Sequence, residues 1–283
     1  STLVKANMDF SASICDGDGN MVGQGLALPA HLGATMPALK GCLDYFGDDI
    51  EPGDIFANND PYAGGSHLND IFMFKPVFKD GQRVCFLGLI LHHTDLAGRV
   101  AGGQAADSNE IFEEGLRIPP SKIYQAGKRN DTLFRIIEHN TRVPDTVLGD
   151  VRAQIAALNA GAAEIEKLVA LYGAAELKKY MTALIDYTER LVRSCIRDLP
   201  DGEAEFTDWN DDDGVGGGPV KLHVKLTIKG DEVIADFTGT SPQKGGALHT
   251  NYWFTASLTY AALRAVMPPD TPNNAGFYRP ITV

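Results

Sequence analysis

The sequence predicts an α+β fold, with antiparallel and mixed β-sheets and a long helical hairpin. Three observations carry that prediction. Short apolar runs punctuated by glycine-rich turns fill the first third, and two stretches of helical periodicity follow between Gly149 and Pro200. Strict apolar–polar alternation then returns from Val220. The 283 residues accordingly divide into an α+β region at 1–149, a helical hairpin at 150–198 and a β-rich region at 199–283.

Met8 to Cys15 predicts a strand, Asp16-Gly17-Asp18-Gly19-Asn20 a tight turn, and Met21 onward the returning strand, because Asp-Gly pairs supply the positive φ of hairpin turns. A calcium loop over Asp16, Asp18 and Asn20 is excluded: its sixth position is Met21 rather than glycine, and its twelfth is Ala27 rather than glutamate. Pro37 to Phe46 has helical spacing. Asp70 to Phe78 and Arg83 to His92 are strand-like and joined by Lys79-Asp80-Gly81-Gln82, a hairpin in which Pro76 marks an edge or a bulge. Val151, Ile155, Leu158, Ala162, Ile165, Val169 and Tyr172 form one helical stripe, closed by Gly173. A second stripe, from Leu177 through Met181, Leu184, Tyr187 and Leu191 to Cys195, makes an antiparallel helix pair whose apolar faces are packing surface. Val220 to Ile228 and Val233 to Phe237 form a half-buried antiparallel pair around Lys229-Gly230-Asp231, with His223 as a cross-strand surface residue. Trp209 to Pro219 is expected to be a solvated acidic loop.

Composition excludes several functions. Lys and Arg total 25 against 37 Asp and Glu, a net charge of −12 that opposes binding to nucleic acid or to an anionic membrane surface. The longest apolar run, Val84 to Leu91, is far short of the ~20 residues that span a bilayer, and no charged-then-apolar leader opens the chain. The four cysteines form no CxxC pair, which removes zinc-ribbon and dithiol chemistry and predicts reduced, mostly buried thiols in a cytoplasmic protein. There is no GxxxxGK[ST] loop and no GxGxxG between strand and helix, so the chain is not expected to bind ATP by itself; a GxSxG nucleophile elbow is also absent.

Metal chemistry fits better. Of seven histidines, His31, His139, His223 and His249 stand isolated, whereas His67 lies in an H-x-x-D sequence with Asp70, and His92-His93 precede Thr94-Asp95. In an antiparallel hairpin the start of the first strand lies beside the end of the second, which brings His67 and Asp70 to His92 or His93. A one-residue change of register swaps those two histidines, so periodicity does not choose between them. Imidazole plus carboxylate without thiolate suits Zn²⁺, Mn²⁺ or Fe²⁺; a structural polar cluster is the competing explanation.

NDPYAGGSHLNDI (Asn59 to Ile71) and LHHTDLAGR (Leu91 to Arg99) resemble the B-type subunit of the hydantoinase/oxoprolinase family. The likeness continues through Ser108 to Tyr124, Gly149 to Gly161 and Asp236 to Gln243. The family also includes a subunit of the ATP-dependent acetone and acetophenone carboxylases. The resemblance implies an A-type partner that uses ATP to phosphorylate an amide or enolate oxygen of a small-molecule substrate. The B-type subunit then completes hydrolysis, or carboxylation, at a divalent metal site within a hetero-oligomer. A catalytically silent scaffold subunit is the remaining alternative. The family's metal ligands carry onto His67, Asp70 and His92, with an acidic ligand from the amino-terminal segment at Asp9. Members often have a glutamate just before that aspartate, where this chain has Lys5-Ala6-Asn7. Asp95 is then expected to orient an imidazole N–H, and Asn59 and Asp60 to fix the loop that presents His67. Gly64-Gly65 would admit substrate close to the backbone, and Arg99 either neutralises an anionic intermediate or is a surface charge. Because B-type subunits are longer, the resemblance also implies that the β-rich region is incomplete and the chain an amino-terminal part of a larger subunit.

Overall fold

A computed structural model describes residues 1–25 and 28–283; position 27 of the rejected calcium loop lies outside them. In chain order the elements are α1 (Thr2–Lys5), β1 (Phe10–Asp16), β2 (Met21–Gln24), α2 (Thr35–Phe46), β3 (Ile55–Asn58), β4 (Asp70–Lys79), β5 (Gln82–His92), α3 (Ile111–Glu114), β6 (Ser121–Gln125), β7 (Lys128–Arg129), α4 (Asp131–His139), α5 (Pro144–Tyr172), α6 (Ala174–Arg197), β8 (Gly202–Asn210), β9 (Val220–Lys229), β10 (Glu232–Asp236), α7 (Tyr252–Ala265), α8 (Ala275–Tyr278) and β11 (Ile281–Thr282). They form an antiparallel seven-stranded sheet, β2-β1-β5-β4-β3-β6-β7, and a mixed four-stranded sheet, β11-β10-β9-β8, in which β10 and β11 run parallel.

The β4–β5 hairpin is the centre of the large sheet, and its nearly continuous apolar sequence follows from burial on both faces. Ile71, Met73, Cys85, Leu87 and Leu89 enter a core shared with α4 and α5. Phe72, Phe74, Phe86 and Ile90 point the other way, into a second core with α2, α8 and part of the small sheet. The cores draw on residues from all three segments of the chain. Pro76 sits on an interior strand rather than an edge. It is tolerated because β3 pairs with β4 only over Phe72 to Phe74, leaving Pro76 beyond the ladder, with a register shift beside it at Val77/Phe78.

The two long helices are separated by one residue, Gly173, at φ 81°. α5 begins at Pro144, five residues before the texture change at Gly149, because proline suits the first helical turn. The helices do not spend their apolar stripes on each other alone. α5 lies along the large sheet, whereas α6 puts Met181 into the first core and Val192 and Ile196 into the second. The acidic stretch also departs from expectation: Trp209 and Asn210 end strand β8, whose every residue is exposed, and the loop begins only at Asp211. An exposed strand buries neither face, so it carries no alternation to read. The Asp16 turn is as expected, its carboxylate accepting from the Asp18 and Asn20 backbone N–H groups at 3.0 and 2.9 Å.

Candidate metal centre

The hairpin positions the site. Asp70, the first residue of β4, is the cross-strand partner of His92, the last of β5, and directly opposed residues project to one face. His92 Nδ1 lies 3.1 Å from Asp70 Oδ1. His67 approaches from the preceding turn, closed by the Asp70 N–H to the His67 carbonyl at 3.0 Å, and its Nδ1 is 2.9 Å from Asp70 Oδ2. The two imidazole rings stack at 4.9 Å. One ligand atom from each of His67, Asp70 and His92 falls within 4.8 Å of the others. Separations near 3 Å match the edge between two ligand atoms that each lie ~2.0–2.2 Å from a shared ion.

Register also separates the adjacent histidines. His93 points to the opposite face, fully buried, with Nε2 3.0 Å from Gln154 Oε1 on α5. Burial pushes its pKa down to about 4. Asp9 comes to the His92 side: its carbonyl accepts the His92 N–H at 3.1 Å, after a turn with Met8 at φ 53°. Among the described residues, Asp9 Oδ1 is buried without a hydrogen-bond partner. An orphaned carboxylate oxygen beside a two-histidine, one-aspartate group is a donor set suited to a divalent cation.

His31 is not isolated, as linear spacing had it. The turn at Pro29–His31 brings it beneath the cluster, with Nε2 3.8 Å from Asp70 Oδ2 and 3.9 Å from Asp9 Oδ1, and Nδ1 3.0 Å from Ser11 Oγ. A signal was present in β1: Ser11 and Ser13 form a polar row in step with Asp9 on a face that should be apolar.

Electrostatics ties the group together. Burial opposes the charge of Asp70, but hydrogen bonds to His67 and His92 prevail and hold its carboxyl well below the usual range. Burial likewise opposes protonation of His67, yet Asp70 raises its pKa overall. At His31 burial wins over both carboxylates, and the pKa falls.

The supporting residues divide. Asn59, fully buried, donates to the carbonyls of Leu68 and Leu116 and accepts the Ile118 N–H at 2.6 Å, which ties down the strand entrance next to His67. Asp60 accepts the Tyr62 N–H at 3.0 Å and faces Arg117 at 3.6 Å. Asp95 is not brought to an imidazole. Its oxygens accept from Gly102 N–H, Thr141 Oγ1, and the backbone and guanidinium of Arg142. Gly64 and Gly65 admit protein backbone where substrate was expected: a Cβ on Gly64 would lie 2.1 Å from the Pro37 carbonyl oxygen, and one on Gly65 2.8 Å from that of Asn59. Arg99 pairs with Asp107, both exposed.

Sequence spacing gave no hint of Asn251. It caps α7 by accepting the Phe254 N–H at 2.9 Å, while its amide donates to the carbonyls of Gly65 and Ser66 at 2.9 and 3.0 Å. The cap is a recognisable signature before an apolar run; the clamp spans 186 residues of sequence. A cavity of about 610 Å³ opens beside His92, lined also by Asn69, Thr94, Gln104 and Thr146. All four cysteines are free, and among the described residues no helix is long and apolar enough to cross a membrane.

The family model for hydantoinase B/oxoprolinase matches residues 1–283. The caprolactamase β subunit of Pseudomonas jessenii is 34% identical over 275 residues, covering 97% of this chain and 47% of that protein. The crystal structure of the ATP-dependent caprolactamase from the same organism superposes with TM-score 0.93 at 33% identity, over 100% of this chain and 50% of that one. The nucleotide-free structure of acetone carboxylase shares the fold, with TM-score 0.91 at 18% identity, over 99% and 39% of the respective chains. The chain spans about half the length of the curated relatives it matches first.

Proposed function

The chain belongs to the hydantoinase B/oxoprolinase family, and from that premise we propose that it is the B-type part of an ATP-dependent enzyme that hydrolyses cyclic amides, with a divalent cation held by His67, Asp70 and His92 and joined by Asp9. The convergence of two imidazoles on one buried carboxylate, beside an unpartnered Asp9 oxygen, carries this reading. Zn²⁺, Mn²⁺ and Fe²⁺ all suit the nitrogen and oxygen donors. Such an ion polarises a carbonyl or phosphoryl oxygen, or lowers the pKa of water toward ~7.

The chain's own residues supply binding and orientation. Asp70 fixes both imidazole rings through its two oxygens. Asn59, Asp60 and Asn251 hold the turn from which His67 projects. Among the described residues, His92 is the ionisable side chain that lines the neighbouring cavity, whose wall also includes Ser1, Thr2 and Leu3. The cavity's amides and hydroxyls offer hydrogen-bond donors and acceptors to the polar groups of a small-molecule substrate. In this reading an A-type partner subunit binds ATP and phosphorylates the amide oxygen, and the hetero-oligomer works in the cytoplasm, where four free thiols stay reduced.

Elemental analysis of the purified protein beside its His67→Ala variant tests the centre: about one equivalent of transition metal, lost in the variant, is expected. Equal metal content in both, or none in the wild type after metal-replete, chelator-free purification, would refute it and favour a scaffold role. With the partner present, ATP turnover independent of bicarbonate is expected. Bicarbonate dependence would assign a ketone carboxylase instead.

A further inference from the structure

We propose that His31 is a positioning residue that sets two acidic metal ligands at once, presenting its Nε2–H electrostatically to both Asp9 and Asp70 from beneath the site, beyond hydrogen-bond length to either. The inference rests on the cation reading above and extends it to a side chain outside the ligand set. Its Nε2 is nearly equidistant from Asp70 Oδ2, at 3.8 Å, and Asp9 Oδ1, at 3.9 Å. The residue is 2% exposed.

Ser11 and the two carboxylates together fix which ring nitrogen carries the proton. Its hydroxyl lies 3.0 Å from His31 Nδ1. If Nδ1–H donated to Ser11, the Nε2 lone pair would face two carboxylates, a repulsive arrangement in a buried setting. With Ser11 O–H donating to Nδ1, Nε2 carries the hydrogen and faces two acceptors. The contacts of the two aspartates make this useful. Asp70 already accepts from Ser66 Oγ at 2.7 Å, so its orientation has a second support, whereas Asp9 Oδ1 has no hydrogen-bond partner among the described residues. His31 is thus the group that relates Asp9, on the lead-in to β1, to Asp70, on β4. One strand, β5, lies between them in the sheet order.

His31 also links the site to α7. Gly33 packs against that helix so closely that a Cβ would lie 2.7 Å from the Tyr260 ring, and Asn251 at the start of α7 holds Gly65 and Ser66. One helix therefore braces the cluster from two directions, through the His31 turn and through the His67 turn.

The test compares cation affinity in the intact protein, using Zn²⁺ in competition with a chromophoric chelator and the visible spectrum of bound Co²⁺. The variants are His31→Leu, His31→Gln, Ser11→Ala and His67→Ala, each checked for fold by circular dichroism. Loss of an outer partner costs ~10–100-fold in metal affinity. His31→Leu is therefore expected to keep one equivalent of metal but bind it ~10–100-fold more weakly, with a shifted Co²⁺ spectrum. Glutamine, whose amide N–H reaches the Nε2 position, should recover much of the loss, and Ser11→Ala should fall between. Wild-type affinity in His31→Leu, with His67→Ala defective, overturns this inference and leaves the centre standing. Should His31→Leu not fold, Ser11→Ala decides: unchanged affinity and spectrum overturn the proposal. Failure of the wild type to bind Zn²⁺ or Co²⁺ overturns the centre itself and this inference with it.

Discussion

Asn59 is the residue whose removal should most clearly separate positioning from ligation. Its carboxamide makes three hydrogen bonds to backbone, to Leu68 O, Leu116 O and Ile118 N–H, and the side chain is fully buried. In Asn59→Ala none of those groups gains a substitute. Each net hydrogen bond is worth about 1 kcal/mol, and a buried group left unpaired costs about 1–3 kcal/mol. Three such losses sum to about 3–5 kcal/mol once partial relaxation and water entry are allowed for. Asn59→Asp refines the test. The carboxylate still accepts the Ile118 N–H, but it meets two carbonyl oxygens where the amide donated, so it should destabilise at least as much as alanine. The assay is urea denaturation, with cation affinity measured under conditions where each variant is folded. Because Leu68 adjoins His67, affinity should fall along with stability although no ligand has changed. A loss below about 1 kcal/mol for Asn59→Ala would refute the view that this amide holds the loop. A large loss of stability with unchanged affinity would show that the loop does not position His67.

Three further perturbations follow from the same geometry. His93 titrates near 4 when folded and near 6.5 when unfolded; between those values the unfolded chain binds the proton and the native state does not, so stability should fall by about 3 kcal/mol as pH drops from 6.5 to 4. His93→Gln should flatten that part of the pH–stability curve, and an unaltered slope would sink the assignment. Gly64→Ala should be severely destabilising, since φ is +86° and the new Cβ would lie 2.1 Å from the Pro37 carbonyl oxygen; a melting temperature within a degree or two of wild type would contradict it. Arg142→Ala strips buried Asp95 of its guanidinium partner but leaves two backbone donors, so a moderate loss of about 1–3 kcal/mol is expected by thermal denaturation. Asp95 keeps a lowered carboxyl pKa in the native protein, so its contribution is present above the unfolded pKa and is lost as pH falls through the folded one; that acid sensitivity should shrink in the variant.

What was legible in the sequence is what the chain carries locally. The β4–β5 hairpin shows itself through two apolar runs and an Asp-Gly turn, and antiparallel geometry then brings Asp70 to His92 without further information. The long helices are equally legible because a 3.6-residue stripe is a local pattern. Register is different. His92 and His93 are neighbours in an apolar run buried on both faces, so no alternation marks the inward one, and only the resemblance favoured His92. β8 was missed for the opposite reason, since a fully exposed strand has no buried face to alternate with. Asp95 shows that proximity in sequence misleads: three residues after His92 it has left the strand, and its carboxylate is taken by Arg142 from another part of the chain.

His31 and Asn251 mark where local reading ends, and they share a physical cause. Each acts through a contact whose partner is distant in sequence, and each sits in a segment with a sufficient local explanation, a proline turn for one and a helix cap for the other. A residue with a satisfactory local role gives no reason to look for a second. The buried polar row on β1 was the one available clue, because Ser11 and Ser13, both buried on one strand face, require partners. Pursuing that requirement from Ser11 leads to His31, and from His31 to both aspartates. Where the polar residues of a buried strand face cannot be satisfied by the strand itself, their partners belong to the site.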